Sequence, residues 1–217
     1  MEFNKYIDHT LLSPTATPAD IEQLCFEAKK YKFYAVCVNG CYVPLAKSKL
    51  KGSDVKLAAV VGFPLGASSP EAKVREAEIA VEHGADEIDM VMNAGFLKGD
   101  WPNALRQEIE EIKHAIGDKV LKVILEICNL TDDEIRIACW AAKEAGADFV
   151  KTSTGFGKGG ATEHAVRIMV EEVGDTMEIK ASGGIRDAET AKKYIELGVH
   201  RIGTSSGIAI VTDKKEN

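Results

Sequence analysis

Two lysines and an aspartate fall where strands are expected, and together they have the makings of imine chemistry. Phe149-Val150-Lys151-Thr152-Ser153-Thr154-Gly155 has strand composition with a hydroxyl-rich end, and Lys151 sits in its middle. Lys180 lies in Met177-Glu178-Ile179-Lys180-Ala181-Ser182-Gly183-Gly184, and Asp89 in Glu87-Ile88-Asp89-Met90-Val91. Desolvating an ammonium is costly, so a lone strand lysine usually packs its stem and lets its head reach water. A second lysine in the same setting favours a chemical task instead. Two amines in one confined site repel, and one then holds its proton less tightly. At a pKa near 10.4 only about one lysine in 2,500 is free amine at pH 7, and each unit of depression raises that about tenfold. A nucleophilic Lys151, a cationic Lys180 and an acid–base Asp89 form a complete set for imine and enamine chemistry, with no cofactor required.

These side chains meet only if their strands present them to one side. Successive strand residues point to opposite faces. Ile88, Met90 and Met92 are expected to face helices, which turns Asp89, Val91 and Asn93 inward. Leu121, Val123, Leu125 and Ile127 likewise turn Lys122, Ile124 and Glu126 inward. The interior is therefore expected to hold Asp8, Asp89, Lys122, Glu126, Lys151 and Lys180. Barrel interiors are mostly branched and apolar, and a buried charge cluster usually costs stability. The alternative to chemistry is a salt-bridge network that sets strand register.

Strands are expected near 6–9, 33–38, 55–62, 85–92, 119–127, 147–152, 176–181 and 200–204. Between them lie helices opened by Thr17-Pro18, Ser69-Pro70, Asp100, Thr131 with Glu134, Thr162 and Asp187. The Ser69 helix should turn Val74, Ala77 and Val81 inward. Gly84, Gly117, Gly146, Gly174 and Gly198 suit helix ends and recur every 24 to 33 residues, one strand plus one helix. Eight alternating units without a dinucleotide fingerprint favour an α/β TIM (β/α)₈ barrel over an open sheet. One domain over 1–211 and a charged tail over 212–217 are expected.

Composition narrows the function classes. The chain has 217 residues, 45% hydrophobic and 28% charged, with a net charge of −7. That balance argues against nucleic acid or anionic lipid as a partner. The N-terminus lacks signal-peptide blocks and no apolar run nears the roughly 20 residues of a membrane span, so a cytoplasmic protein is expected. Cys25, Cys37, Cys41, Cys128 and Cys139 complete no zinc pattern with the scattered histidines, so they read as buried thiols and no metal is expected.

A phosphate site can be read separately. Gly183-Gly184 follows the Lys180 strand, and Gly203-Thr204-Ser205-Ser206-Gly207 follows the last one. In this fold the loops after strands seven and eight commonly bind phosphate through backbone N–H groups. Thr154 and Gly155, closing the Lys151 strand, are further candidate substrate contacts. Gly62-Phe63-Pro64-Leu65-Gly66 reads as a loop whose shape matters, with no chemistry assigned.

Val150-Lys151-Thr152-Ser153-Thr154-Gly155-Phe156, Lys180-Ala181-Ser182-Gly183-Gly184-Ile185-Arg186 and Glu87-Ile88-Asp89-Met90-Val91 closely resemble signatures of the deoxyribose-phosphate aldolase family. So do Ile7-Asp8-His9-Thr10-Leu11-Leu12 and Val61-Gly62-Phe63-Pro64-Leu65-Gly66, and the match runs in order over nearly the whole chain. The resemblance implies a class I aldolase that reversibly cleaves 2-deoxy-D-ribose 5-phosphate to D-glyceraldehyde 3-phosphate and acetaldehyde. It implies that Lys151 forms the Schiff base, that Asp89 and Lys180 exchange protons, and that Gly183, Gly184, Gly203, Ser205 and Ser206 hold the phosphate. Some relatives carry a lysine where this chain has Phe156, which removes a phosphate contact unless Lys158 supplies one. Family members are commonly dimers or tetramers, so a homo-oligomer is expected. Two rivals are another Schiff-base aldolase or transaldolase for a different phosphosugar, and a phosphometabolite-binding barrel without catalysis.

Overall fold

Eight short segments rich in apolar and β-branched residues pair side by side in the computed structural model, which describes residues 1–213. They are β1 (Ile7–Leu11), β2 (Ala35–Asn39), β3 (Lys56–Val61), β4 (Glu87–Val91), β5 (Val120–Ile124), β6 (Phe149–Lys151), β7 (Glu178–Ser182) and β8 (Arg201–Thr204). All neighbours are parallel, and β8 closes onto β1 through Ile7↔Ile202 and Asp8↔Gly203. Parallel neighbours need a crossover, and helices supply each one. These are α1 (Pro18–Tyr31), α2 (Val43–Leu50), α3 (Pro70–Glu82), α4 (Ala94–Lys98), α5 (Pro102–Ile116), α6 (Asp132–Glu144), α7 (Glu163–Val173) and α8 (Ala188–Glu196), with α9 (Gly207–Thr212) after β8. The expected TIM barrel is the observed architecture.

Strand alternation divides the apolar residues between two cores. Ile88, Met90, Met92, Leu121, Val123, Leu125, Val150, Ile179 and Ala181 join the helices in the outer core, as the two-residue period predicts. Inside the barrel a small apolar cluster of Leu12, Cys37, Ala58 and Val60 fills the β2–β3 side. Thr17, Ser69, Thr131, Thr162 and Asp187 cap their helices by accepting a backbone N–H, a contact worth about 1 kcal/mol in general.

Several expectations are corrected. β5 stops at Ile124 instead of 127, because Glu126 takes a left-handed backbone (φ 53°) and opens a short turn over Ile127–Asn129. The residue before α5 is Trp101, not Asp100, which itself is left-handed and ends the turn after α4. Asn93 does not enter the barrel; its side chain accepts the Gly95 N–H at 2.9 Å and caps α4. The buried face of α3 is Lys73, Ala77 and Ala80, leaving Val74 and Val81 half-buried. Cys41 and Cys128 are exposed, unlike the other three thiols. α9 extends through Thr212, and residues 214–217 of the expected tail lie outside the described residues.

The buried Lys73 explains why α3 does not follow its apolar pattern. Its ammonium donates to Glu108 Oε1 at 2.7 Å and to the Val91 carbonyl at 2.9 Å, while Glu108 Oε2 accepts the Asn93 N–H at 3.0 Å. Both side chains are fully buried, so the pair ties α3 and α5 to the carboxyl end of β4. Burial pushes the Lys73 ammonium down and the Glu108 carboxyl up, each opposed by its partner's charge. Lys73→Met is expected to lower unfolding free energy by about 3–5 kcal/mol, since it strands a buried carboxylate. Adding Glu108→Leu should recover most of that loss in urea titrations; an undiminished loss in the double variant would contradict the desolvation argument.

Candidate active site

The inward faces of β1 and β4 to β8 carry charge, and the sequence period delivers it there. Asp8, Glu87 and Asp89 face Lys122, Lys151, Lys180 and Arg201, all of them buried. Register puts Asp89 opposite Lys122, and Lys151 opposite Lys180, which in turn lies opposite Arg201. Asp89 is the hub. Its Oδ2 accepts from Lys151 Nζ at 2.8 Å and Lys180 Nζ at 2.7 Å, and its Oδ1 accepts from Lys122 Nζ at 2.7 Å. Lys180 also pairs with Asp8, and Lys122 with Glu87 at 2.5 Å. Arg201 completes the network from the amino end, donating to Asp8 at 2.7 Å and to Glu87 at 2.9 and 3.2 Å.

Proton affinities diverge across this cluster. Burial pushes the Asp89 carboxyl up, yet Lys122, Lys151 and Lys180 together hold it well below the usual carboxylate range. Burial pushes Lys151 down; Asp89 opposes that and Lys180 reinforces it, leaving the amine below its ordinary value. Desolvation, not Lys180, is thus the larger cause, which reorders the electrostatic account expected from sequence. Lys180 moves the other way: Asp8 and Asp89 outweigh burial and raise it. In the resting site Asp89 is accordingly a carboxylate that accepts hydrogen bonds and Lys180 an ammonium that donates them.

Only part of the cluster reaches solvent. A cleft of about 410 Å³ opens at the carboxyl end of the barrel, and Lys151 is the one member of the cluster among its lining residues. Thr154, Gly155, Gly183, Gly184, Gly203 and Ser205 also line it, together with Thr10, Leu11, Leu12, Phe156 and Arg186. Ser206 does not; its N–H donates to Thr204 Oγ1 at 2.9 Å as α9 begins. Glu126 does not join the charged cluster. Its carboxylate accepts from Thr154 Oγ1, and from the Thr154 N–H at 3.3 Å, so it shapes the loop after β6. Lys158 is exposed and absent from the cleft lining, while Phe63 packs edge-on against Phe156 at 5.3 Å.

Several contributors were missed in sequence. Glu87 lies two residues before Asp89, and Arg201 two before Gly203, so period two was signal enough for both. Thr152 and Ser182 carry no such signal: Thr152 Oγ1 donates to the Ser182 carbonyl at 3.0 Å and accepts the Ser182 N–H at 3.0 Å. That exchange pins the ends of β6 and β7, and therefore the spacing of their lysines. Gly203 makes room for one of these, since a Cβ there would meet Lys180 Cε at 3.0 Å. Gly160 lets the β6 and β7 loops touch; its Cβ would stand 2.3 Å from the Gly183 carbonyl oxygen. Among the described residues no cluster of His, Cys, Asp or Glu has metal-binding geometry.

A family model described as DeoC/LacD family aldolase matches residues 3–212. The chain belongs to that family. It is 55% identical over 216 residues to a protein from Thermoanaerobacter sp. (strain X514) named deoxyribose-phosphate aldolase, covering 98% of this chain and 97% of the relative. The crystal structure of a putative deoxyribose-phosphate aldolase from Coccidioides immitis superposes with a TM-score of 0.96 at 42% identity, covering 98% of this chain and 85% of that one. A deoxyribose phosphate aldolase from Aeropyrum pernix, described as having a unique tetrameric structure, superposes at 0.89 with 35% identity, covering 97% and 90%.

The buried carboxylates give the aldolase an acid limit. Burial would raise Asp8, but Arg201 and then Lys180 hold it at about 2 in the folded state, below the ordinary 3.8 of an aspartate. The unfolded chain therefore binds the proton first as pH falls, so this contribution is full above about pH 4 and is lost as pH approaches 2. By linkage it amounts to roughly 2 kcal/mol. Asp8→Asn is expected to flatten the dependence of unfolding free energy on pH across that window, as read by urea titration at several acidic pH values.

Proposed function

We propose that this family member is a class I aldolase that reversibly cleaves 2-deoxy-D-ribose 5-phosphate to D-glyceraldehyde 3-phosphate and acetaldehyde. The reading rests on one observation above the others. Of the three lysines in the cluster, the one whose proton affinity is lowered is also the one that borders the cleft, 2.8 Å from a carboxylate shared with a lysine whose proton affinity is raised. The names of the relatives point to the same substrate.

In the proposed cycle Lys151 attacks the aldehyde carbon of the open-chain sugar. The resulting carbinolamine loses its hydroxyl as water, with a proton supplied from Lys180, and becomes a cationic imine. Asp89, directly or through water, takes the proton of the C3 hydroxyl. The C2–C3 bond breaks, its electron pair enters the imine, and D-glyceraldehyde 3-phosphate leaves. The enamine is protonated at carbon, and addition of water then frees acetaldehyde and the lysine amine. The protonated imine serves as electron sink throughout, so this reading requires no cofactor. Gly183, Gly184 and Ser205 border the far part of the cleft with Arg186 and are proposed to hold the 5-phosphate through backbone N–H groups and the guanidinium. Thr154 and Gly155 would form the adjoining wall.

The proposal extends to assembly and location. A homodimer or homotetramer is supported by the tetramer described for the Aeropyrum pernix relative. A reducing cytoplasm suits five free cysteines, two of them exposed. No helix among the described residues is long and apolar enough to cross a membrane.

Borohydride reduction in the presence of acetaldehyde is expected to leave an ethyl group on Lys151, located by peptide mass spectrometry. Lys151→Leu should abolish both the label and the cleavage. Labelling at another lysine would overturn the assignment, and a preference for dihydroxyacetone phosphate or pyruvate as donor would redirect it to a different phosphosugar.

A further inference from the structure

We infer that Arg201, at the floor of the barrel and out of reach of the cleft, is a positioning residue that supplies the surplus positive charge keeping Lys151 a free amine. The inference deepens the reading of Lys151 as the imine-forming lysine and rests on it.

Seven charged side chains form one unbroken chain of ion pairs: Asp8, Glu87 and Asp89 against Lys122, Lys151, Lys180 and Arg201. None of the seven residues is more than 3% exposed. Fully ionised, the network holds one more cation than anion, and an unbalanced charge is strongly disfavoured in a poorly solvated interior. Releasing one proton restores neutrality. Arginine does not release one. Lys122 touches two carboxylates, Glu87 and Asp89, and Lys180 touches two, Asp8 and Asp89. Lys151 touches Asp89 alone. It is therefore the group that yields, and it yields because a fourth cation is present.

Arg201 is held in that place from below. Its guanidinium spans Asp8 and Glu87 and lies 3.7 Å from the centroid of the Tyr34 ring. It lines a cavity at the amino ends of the strands, remote from the cleft that Lys151 borders. Its influence must pass through Asp8 and Lys180, and the Arg201 charge does lower the proton affinity of both.

No other group around Lys151 alters the count. On β2, Cys37 Sγ stands 4.0 Å from Asp89, and burial pushes its thiol up, so it is neutral. On β3 the inward residues Ala58 and Val60 are apolar. Beyond β5, Glu126 is engaged by Thr154 and makes no ion pair with the four cations. Arg186, after β7, is exposed at the mouth of the cleft. Beside Arg201, the floor cavity also takes in Lys143, Asp148, Asp175, Glu178 and His200, none of which forms an ion pair with it among the described residues.

The test reads imine formation against pH. Acetaldehyde–borohydride labelling at Lys151 and kcat/KM for 2-deoxy-D-ribose 5-phosphate are measured for the wild type, Arg201→Leu, Glu87→Gln and the double variant. Removing the cation should move the acid limb of both profiles up by roughly one pH unit, the scale of a unit charge acting across an interior of effective dielectric about 20. Removing the anion should move the limb down, and the double variant should return it near the wild-type position. Shifts of the same sign in both single variants, or an unmoved limb, would overturn the inference, because simple loosening of the barrel has no reason to follow the sign of the charge removed. If Arg201→Leu does not fold, the near-isosteric Glu87→Gln decides alone: a downward shift supports the inference, and no shift or an upward one overturns it. Absence of label at Lys151 in the wild type would sink the aldolase reading and this inference with it. Label at Lys151 with unmoved limbs in the variants would sink the inference only.

Discussion

A single carboxylate shared by three lysine nitrogens governs the interior of this barrel. Asp89 accepts from Lys122, Lys151 and Lys180 within 2.8 Å, and none of these four side chains is more than 2% exposed. Such a cluster persists only where every remaining lone pair and N–H has a partner, because desolvation otherwise exceeds the Coulombic return. Asp8, Glu87 and Arg201 supply partners to Lys122 and Lys180 and to one another, and tie the cluster to the floor of the barrel. The interior is consequently split, with charge on β1 and β4 to β8 and a small apolar cluster against β2 and β3.

This arrangement separates the proton affinities of its lysines. The lysine with one carboxylate partner is lowered by burial, and the lysine with two is raised by them. The same residue type in equivalent strand positions thus has its proton affinity lowered in one case and raised in the other, set apart by how many anions each touches. Proximity alone would not do this, since Lys151 and Lys180 share Asp89 Oδ2. The second carboxylate, Asp8, makes the difference.

The cleft follows a different logic from the cluster beneath it. Charged residues stand on strands, where the backbone is held by neighbours on both sides and side chains keep their positions. The cleft walls come from loops, and those loops are shaped by close backbone approach and by hydroxyl contacts. Gly160 against Gly183 and Thr152 against Ser182 bring the carboxyl ends of β6 and β7 together above the lysines, and Glu126 against Thr154 joins the β5 loop to the β6 loop. The charged cluster and the cleft walls in this way occupy separate layers, one built on strands and the other on loops.

Much of this was legible in the chain itself, where the signal is local. Alternation within a strand turns Asp8, Asp89, Lys122, Lys151 and Lys180 to one side, and Thr17, Ser69 and Thr131 announce helices a residue ahead. Each of those signals spans a few positions and needs no knowledge of neighbours. Tertiary structure decided the rest. Lys180 meets Asp8 across 172 positions and Arg201 meets it across 193, so their pairing depends on the closure and stagger of the barrel. Glu126 was expected inside because alternation was carried past the true end of β5, where its backbone turns left-handed to reach Thr154. Lys73 broke the apolar pattern of α3 for a partner on α5 that no local rule could supply. Which residues face inward is a property of the single strand; which charge answers which is a property of the closed ring.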